Sequence, residues 1–109
     1  LDSSGQNQYG LFPKANTLSW CYDACFTNQG LLVADTGNSR VLSFDTIPAT
    51  SNPSADGLIG KPNFSTGSEN AETVFGTENS LYWPFSICAD SGRLAVADTG
   101  NHRVLLYPL

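Results

Sequence analysis

One internal repeat constrains the fold of this chain more than any other feature. Residues 18–44 align with residues 81–107 at a constant offset of 63, without a gap and with 13 of 27 positions identical. The identities include Trp20 with Trp83, Cys25 with Cys88, Val33 with Val96, and the whole Ala-Asp-Thr-Gly-Asn block; Tyr22 with Phe85 and Phe44 with Tyr107 are conservative pairs. The same offset pairs Phe12 with Phe75 and Asn16 with Asn79. A unit written twice at fixed spacing is a structural unit before it is anything else, so the local elements must be read within it.

Each unit reads as a meander of short strands. Trp20–Phe26, Leu31–Ala34 and Val41–Phe44 are apolar runs of strand length, and Phe85–Ala89, Leu94–Ala97 and Val104–Tyr107 repeat them. Connections this short force antiparallel neighbours. A fourth candidate strand, "GLIG" at 57–60, follows the first unit, and the second unit stops before its counterpart. Runs such as "LLVA" and "VLLY" do not alternate apolar with polar, which predicts cover on both faces of each sheet. Repeated antiparallel sheets with both faces covered are the pattern of blades arranged around an axis.

Composition narrows the class of partner. The net charge is −5, with ten acidic side chains against five lysines and arginines. A nucleic-acid surface needs a basic footprint to displace counterions from phosphate, and this chain has none; an anionic membrane surface is disfavoured on the same ground. No apolar run approaches the ~20 residues of a membrane span, and the leading "LDSSGQNQYG" lacks the basic-then-apolar order of a signal peptide. Three cysteines are an odd number. Cys21 and Cys25 sit four apart on one strand, roughly 13 Å at the usual rise, too far for a disulfide. All three read as buried, reduced thiols that act as small hydrophobes.

The stretch "SGRLAVADTGNHRVLLY" resembles the signature of NHL repeats, although Arg103 replaces the third residue of the Asn-His-Leu motif. "GLIGKPNFSTGSEN" is similar to the Gly-Gln-Pro-Asp-Phe-type linker of a long-repeat branch of that family. The resemblance implies an all-β fold: β-propeller blades of four antiparallel strands, about two blades with the second incomplete, from a larger propeller. Residues 1–109 are then part of a single propeller domain, with repeat units 1–63 and 64–109. Laying copies of the chain end to end omits the equivalents of residues 47–63, which hold the fourth strand. The expectation is therefore a fragment or a piece of a larger assembly, or else a homo-oligomer whose blades another strand completes. The long-repeat branch is typical of secreted, cell-surface or periplasmic proteins, and the resemblance implies that location here.

The repeated hinge consists of Asp35, Gly37, Asn38 and Arg40, and again of Asp98, Gly100, Asn101 and Arg103. Asp and Asn accept from nearby backbone N–H groups and Gly supplies positive φ, all turn roles. Arg40 and Arg103 follow five residues after Asp35 and Asp98, within reach for a charge-assisted hydrogen bond across the hairpin. The opposing reading makes the two aspartates a metal or acid/base pair. That chemistry needs carboxylates that converge on one substrate, whereas residues in equivalent blade positions diverge unless they line the channel. The set therefore reads as a structural signature.

The remaining candidates read as structural too. His102 is the only histidine, has no Cys or His neighbour in sequence, and reads as a solvated turn residue. Thr36 and Thr99 stand at the hinge tip as possible surface contacts. The resemblance places Cys25 and Cys88 near the channel as small core residues, and zinc spacing is absent. There is no phosphate-binding Gly-rich loop. Asn63-Phe64-Ser65 matches an N-glycosylation acceptor. Trp20 and Trp83 read as inter-blade packing. No catalytic residue, metal ligand or cofactor is assigned.

Function is then expected in the unrepeated linker Ile47–Ser80, because insertions in repeat proteins collect on one face. The leading expectation is a non-catalytic NHL-repeat propeller scaffold that binds protein or another macromolecule through loops on one face. Its partners are then a protein or the remaining blades, from further copies or other chain segments. The alternative is a fragment of a propeller enzyme, a lyase or hydrolase with its site in the central channel, for which only Asp23 and Ser86 offer polar first-strand side chains. RNA binding, known for some NHL proteins, conflicts with the charge.

Overall fold

The computed structural model describes residues 13–28, 30–66 and 76–109. The Phe12–Phe75 pair, the leading "LDSSGQNQYG" and part of the linker lie outside the described residues. The described chain is all-β. A first sheet has the order β1 (Cys21–Phe26), β2 (Leu31–Asp35), β3 (Arg40–Phe44), β4 (Gly57–Ile59), and a second has β5 (Pro84–Ala89), β6 (Arg93–Asp98), β7 (Arg103–Pro108). All neighbouring strands are antiparallel. The hinge that links the second and third strands of each sheet is a single 3-10 turn, Thr36–Asn38 and Thr99–Asn101.

Register decides which side chains meet. Ala34 lies opposite Val41 and Val41 opposite Ile59, a row that faces the second sheet. There Leu32, Ala34 and Val41 pack with Leu81, Ile87, Leu94 and Val96 into one buried core. Burying a Leu, Ile or Val side chain is worth about 1.5–3 kcal/mol, so this seam is the main source of cohesion between the sheets. The opposite row, Val33 against Leu42 against Leu58, belongs to a smaller cluster with Phe44 and Ala55, covered by Leu18 and Phe64.

The expected cover on both faces is met only in part. Val104 and Leu106, equivalent to Val41 and Ser43, are 66% and 70% exposed, because the face of the second sheet that looks away from the first carries nothing among the described residues. The same Ala–Val pair is thus fully buried in one sheet (Ala34, Val41) and open at the valine in the other (Ala97, Val104).

The cysteines depart from the expectation. Cys21 and Cys88 are exposed and Cys25 is half-buried. β1 and β5 lie at the margin of their sheets; Ile87 of β5 enters the core and Cys25 packs against it, while Cys21 and Cys88 stay outside. The tryptophans also depart. Trp20 is 56% and Trp83 40% exposed, so neither indole fills the seam; both backbones take positive φ at these positions.

Candidate functional site

The polar residues written twice form two closely similar cages. Asp35 accepts at Oδ1 from the Ser19 backbone N–H (2.7 Å), and at Oδ2 from Asn38 Nδ2 (2.8 Å) and Arg40 Nε (2.7 Å). Asp98 accepts at Oδ1 from the Tyr82 N–H (2.7 Å), and at Oδ2 from Asn101 Nδ2 (2.7 Å) and Arg103 Nε (2.8 Å). Each arginine then reaches the leading segment of its own sheet. Arg40 NH2 donates to the carbonyls of Lys14 and Thr17, and Arg103 NH2 to those of Thr77 and Ser80. The planar guanidinium fork suits it to this several-way clasp.

Burial pushes the Asp35 carboxyl up, while Arg40, the Ser19 amide and Asn38 pull it back. Its oxygens accept three hydrogen bonds from groups of its own fold, which uses the carboxylate for anchoring rather than for proton transfer.

The glycine of the hinge does something other than expected. Neither Gly37 nor Gly100 has positive φ; the left-handed positions are Ser39 (φ 51) and His102 (φ 56). Gly37 donates its N–H to the Ser19 carbonyl and Gly100 to that of Tyr82, both at 2.7 Å. A Cβ at Gly37 would lie 2.6 Å from the Ser19 carbonyl oxygen, and one at Gly100 2.1 Å from Tyr82 Cδ1. The close approach, not the dihedral, requires glycine.

The first hinge also latches the two sheets together. Thr36, expected at an exposed tip, is buried and donates its hydroxyl to the Pro84 carbonyl. Ser39 Oγ accepts from the Trp83 N–H at 3.2 Å. The buried Lys61 ammonium donates to the carbonyls of Ser39, Gly60 and Leu81, and so spans the seam. Thr99 and His102, the equivalents of Thr36 and Ser39, are exposed.

Asp23 and Ser86, equivalent by the offset, meet each other. Asp23 Oδ2 accepts from Ser86 Oγ (3.0 Å) and from the Ile87 N–H (2.9 Å), and Tyr22 lies beside Phe85 with ring centroids 4.6 Å apart. The Ile87 amide is the largest cause that holds the Asp23 carboxyl below its ordinary range. Both polar candidates for channel chemistry therefore bond across the seam.

Burial, then the charge of Asp23, raises the Cys25 thiol, the reverse of an activated thiolate. No three His, Cys, Asp or Glu side chains are grouped to hold a metal among the described residues. A cleft of about 580 Å³ opens between the sheets at the end away from the hinges, floored by Leu32 and Phe44 and edged by Thr27, Asp45 and Asp90. Asp90 is held down to about 2, first by its hydrogen bond from Arg93.

Sequence reasoning found the hinge residues but missed their partners in the leading segments. Thr17 and Ser80 were the available signal: hydroxyl residues 63 apart, which accept from the Lys14 and Thr77 N–H groups at 2.8 Å. Lys61 carried no signal, because a lysine in a polar linker gives no hint of burial.

No curated protein and no solved structure matches the chain. The family model of the NHL repeat matches residues 81–107, the segment from Leu81 through the second hinge to Tyr107.

Proposed function

We propose that the chain is part of a non-catalytic NHL-repeat propeller scaffold that binds a protein partner through loops on one face. One observation carries the reading: the repeated polar residues are consumed by internal hydrogen bonds. Asp35, Asn38, Arg40 and their equivalents bond to one another and to the leading segments. Asp23 and Ser86 bond across the seam. Chemistry on a substrate needs convergent groups that stay available to it. Among the exposed apolar side chains that stay available for recognition, Ile47 lies in the unrepeated linker.

The test is cross-linking mass spectrometry of the parent protein with its co-purified partner. Cross-links are expected to residues 45–56 and 62–66. Turnover of a small substrate that is lost on replacing Ser86 would overturn the scaffold in favour of an enzyme with its site in the channel.

A further inference from the structure

Asn63-Phe64-Ser65 is the only place in the chain where an asparagine is followed two positions on by serine or threonine with no proline between; Asn52-Pro53-Ser54 is barred by its proline. The segment lies just beyond β4, in a turn whose Thr66 N–H donates to the Asn63 carbonyl at 3.5 Å. Asn63 and Ser65 are exposed, while Phe64 between them is half-buried. Phe64 packs against the cluster of Val33, Leu42, Phe44 and Ala55, and its carbonyl accepts from Arg40 NH1 at 2.7 Å. The middle residue thus pins the turn to the first sheet and leaves its two neighbours in water.

Within the turn the Asn63 side-chain amide is used on one side only. Its Oδ1 accepts from the Ser65 N–H at 3.1 Å, the Ser65 hydroxyl at 2.8 Å and the Thr66 hydroxyl at 3.0 Å. Its Nδ2, a donor group, makes no hydrogen bond among the described residues. The three bonds span two or three positions. They need no distant residue, so the turn is available to a nascent chain before the sheets assemble. A substituent on Nδ2 leaves every one of them in place.

We propose that Asn63 is a modification site that carries an N-linked oligosaccharide on Nδ2. The donor is an oligosaccharide linked through pyrophosphate to a membrane lipid. In the transfer the bond from the anomeric carbon to the pyrophosphate oxygen breaks, and that carbon bonds to Nδ2. The lipid pyrophosphate leaves with the electron pair, and Nδ2 gives up one proton. Such a glycan is bulky and strongly hydrated, and it needs a surface position. Asn63 supplies one, held in place by Phe64 and Arg40. The proposal goes beyond the scaffold reading and does not depend on it.

The experiment isolates the parent protein from its own source and treats it with a peptide-N-glycosidase in heavy-oxygen water, which turns a glycosylated asparagine into a labelled aspartate. Peptide mass spectrometry is expected to find labelled aspartate at position 63, and the intact mass to fall by one oligosaccharide. Recovery of residue 63 wholly as unlabelled asparagine overturns the proposal. Variants made in the same host supply the second measurement. Ser65→Thr should keep the glycan, while Ser65→Ala and Asn63→Asp should lose it. Asn63→Asp retains a side-chain oxygen for the three turn bonds, so its loss of glycan cannot be put down to a failure to fold. A glycan that persists in Asn63→Asp lies elsewhere and overturns the assignment. None of these outcomes alters the loop cross-links that test the scaffold reading.

Discussion

Arg40 and Asp35 form an ion pair at 2.7 Å with both side chains wholly buried, whereas the equivalent pair Arg103 and Asp98, at 2.8 Å, leaves the arginine partly in water. One motif thus stands in two environments within one chain. Removing one partner of a buried pair leaves an uncompensated charge and costs roughly 3–5 kcal/mol. Arg40→Ala should therefore destabilise by about that amount, and Arg103→Ala by about half of it or less. Urea unfolding of the two variants checks this, and equal losses would sink the argument from burial. Arg40→Lys should not rescue, since a single ammonium cannot reach Asp35, Phe64, Lys14 and Thr17 together.

The hinge glycines and the residues two positions after them should respond in opposite directions. Gly37→Ala and Gly100→Ala force a methyl group into occupied space, at roughly 1–3 kcal/mol each. His102 holds a left-handed conformation with an exposed side chain, which costs a non-glycine residue about 1–2 kcal/mol. His102→Gly should be neutral or stabilising by up to about 1 kcal/mol after the added unfolded-state entropy of glycine. Ser39→Gly gains the same relief but loses the bond to the Trp83 N–H, so it should stabilise less. Thermal midpoints of the four variants rank them.

Asp23 ties the seam to pH. The Ile87 N–H favours its charged form and lowers its folded pKa from 3.8. A lowered folded pKa means stability that is present above the unfolded value and lost as pH falls through the folded one. Wild type should exceed Asp23→Asn in stability at neutral pH, and the difference should shrink below pH 3.8. Parallel denaturation curves against pH measure it. A difference that stays constant down to full protonation would remove Asp23 from the seam.

Lys61 is a buried cation whose described acceptors are main-chain carbonyls on both sides of the seam. Lys61→Met keeps the stem and removes the donor, which leaves carbonyls short of a partner at about 1–3 kcal/mol. Hydrogen exchange should then rise first at Leu81–Trp83 and at Ser39. Uniform acceleration over both sheets would show instead that Lys61 acts on the fold as a whole.

Much of the fold was legible because its signals are local. Seven apolar runs bounded by Gly, Asn and Asp placed all seven strands, with bounds shifted by one residue, since Asp35, Arg40, Pro84, Asp98 and Arg103 pair at strand ends without being apolar. The pairing of Asp35 with Arg40 followed from five-residue spacing across a hairpin. The cysteines, tryptophans and Thr36 were misread because burial depends on what lies across the seam. Trp20 and Thr36 sit within one unit, yet the indole faces water and the hydroxyl meets Pro84.

The amino-acid sequence by itself determined the repeat, its 63-residue offset, the antiparallel meander and the hinge, because each depends on residues near one another along the chain or on identity between two stretches. Only the tertiary structure decided how the units meet. Thr36, Ser39 and Lys61 latch the first sheet to the second, and Asp23 grips Ile87. These contacts join residues 20 to 64 positions apart. Side-chain type along the chain carries no record of which distant carbonyl or amide will stand opposite it.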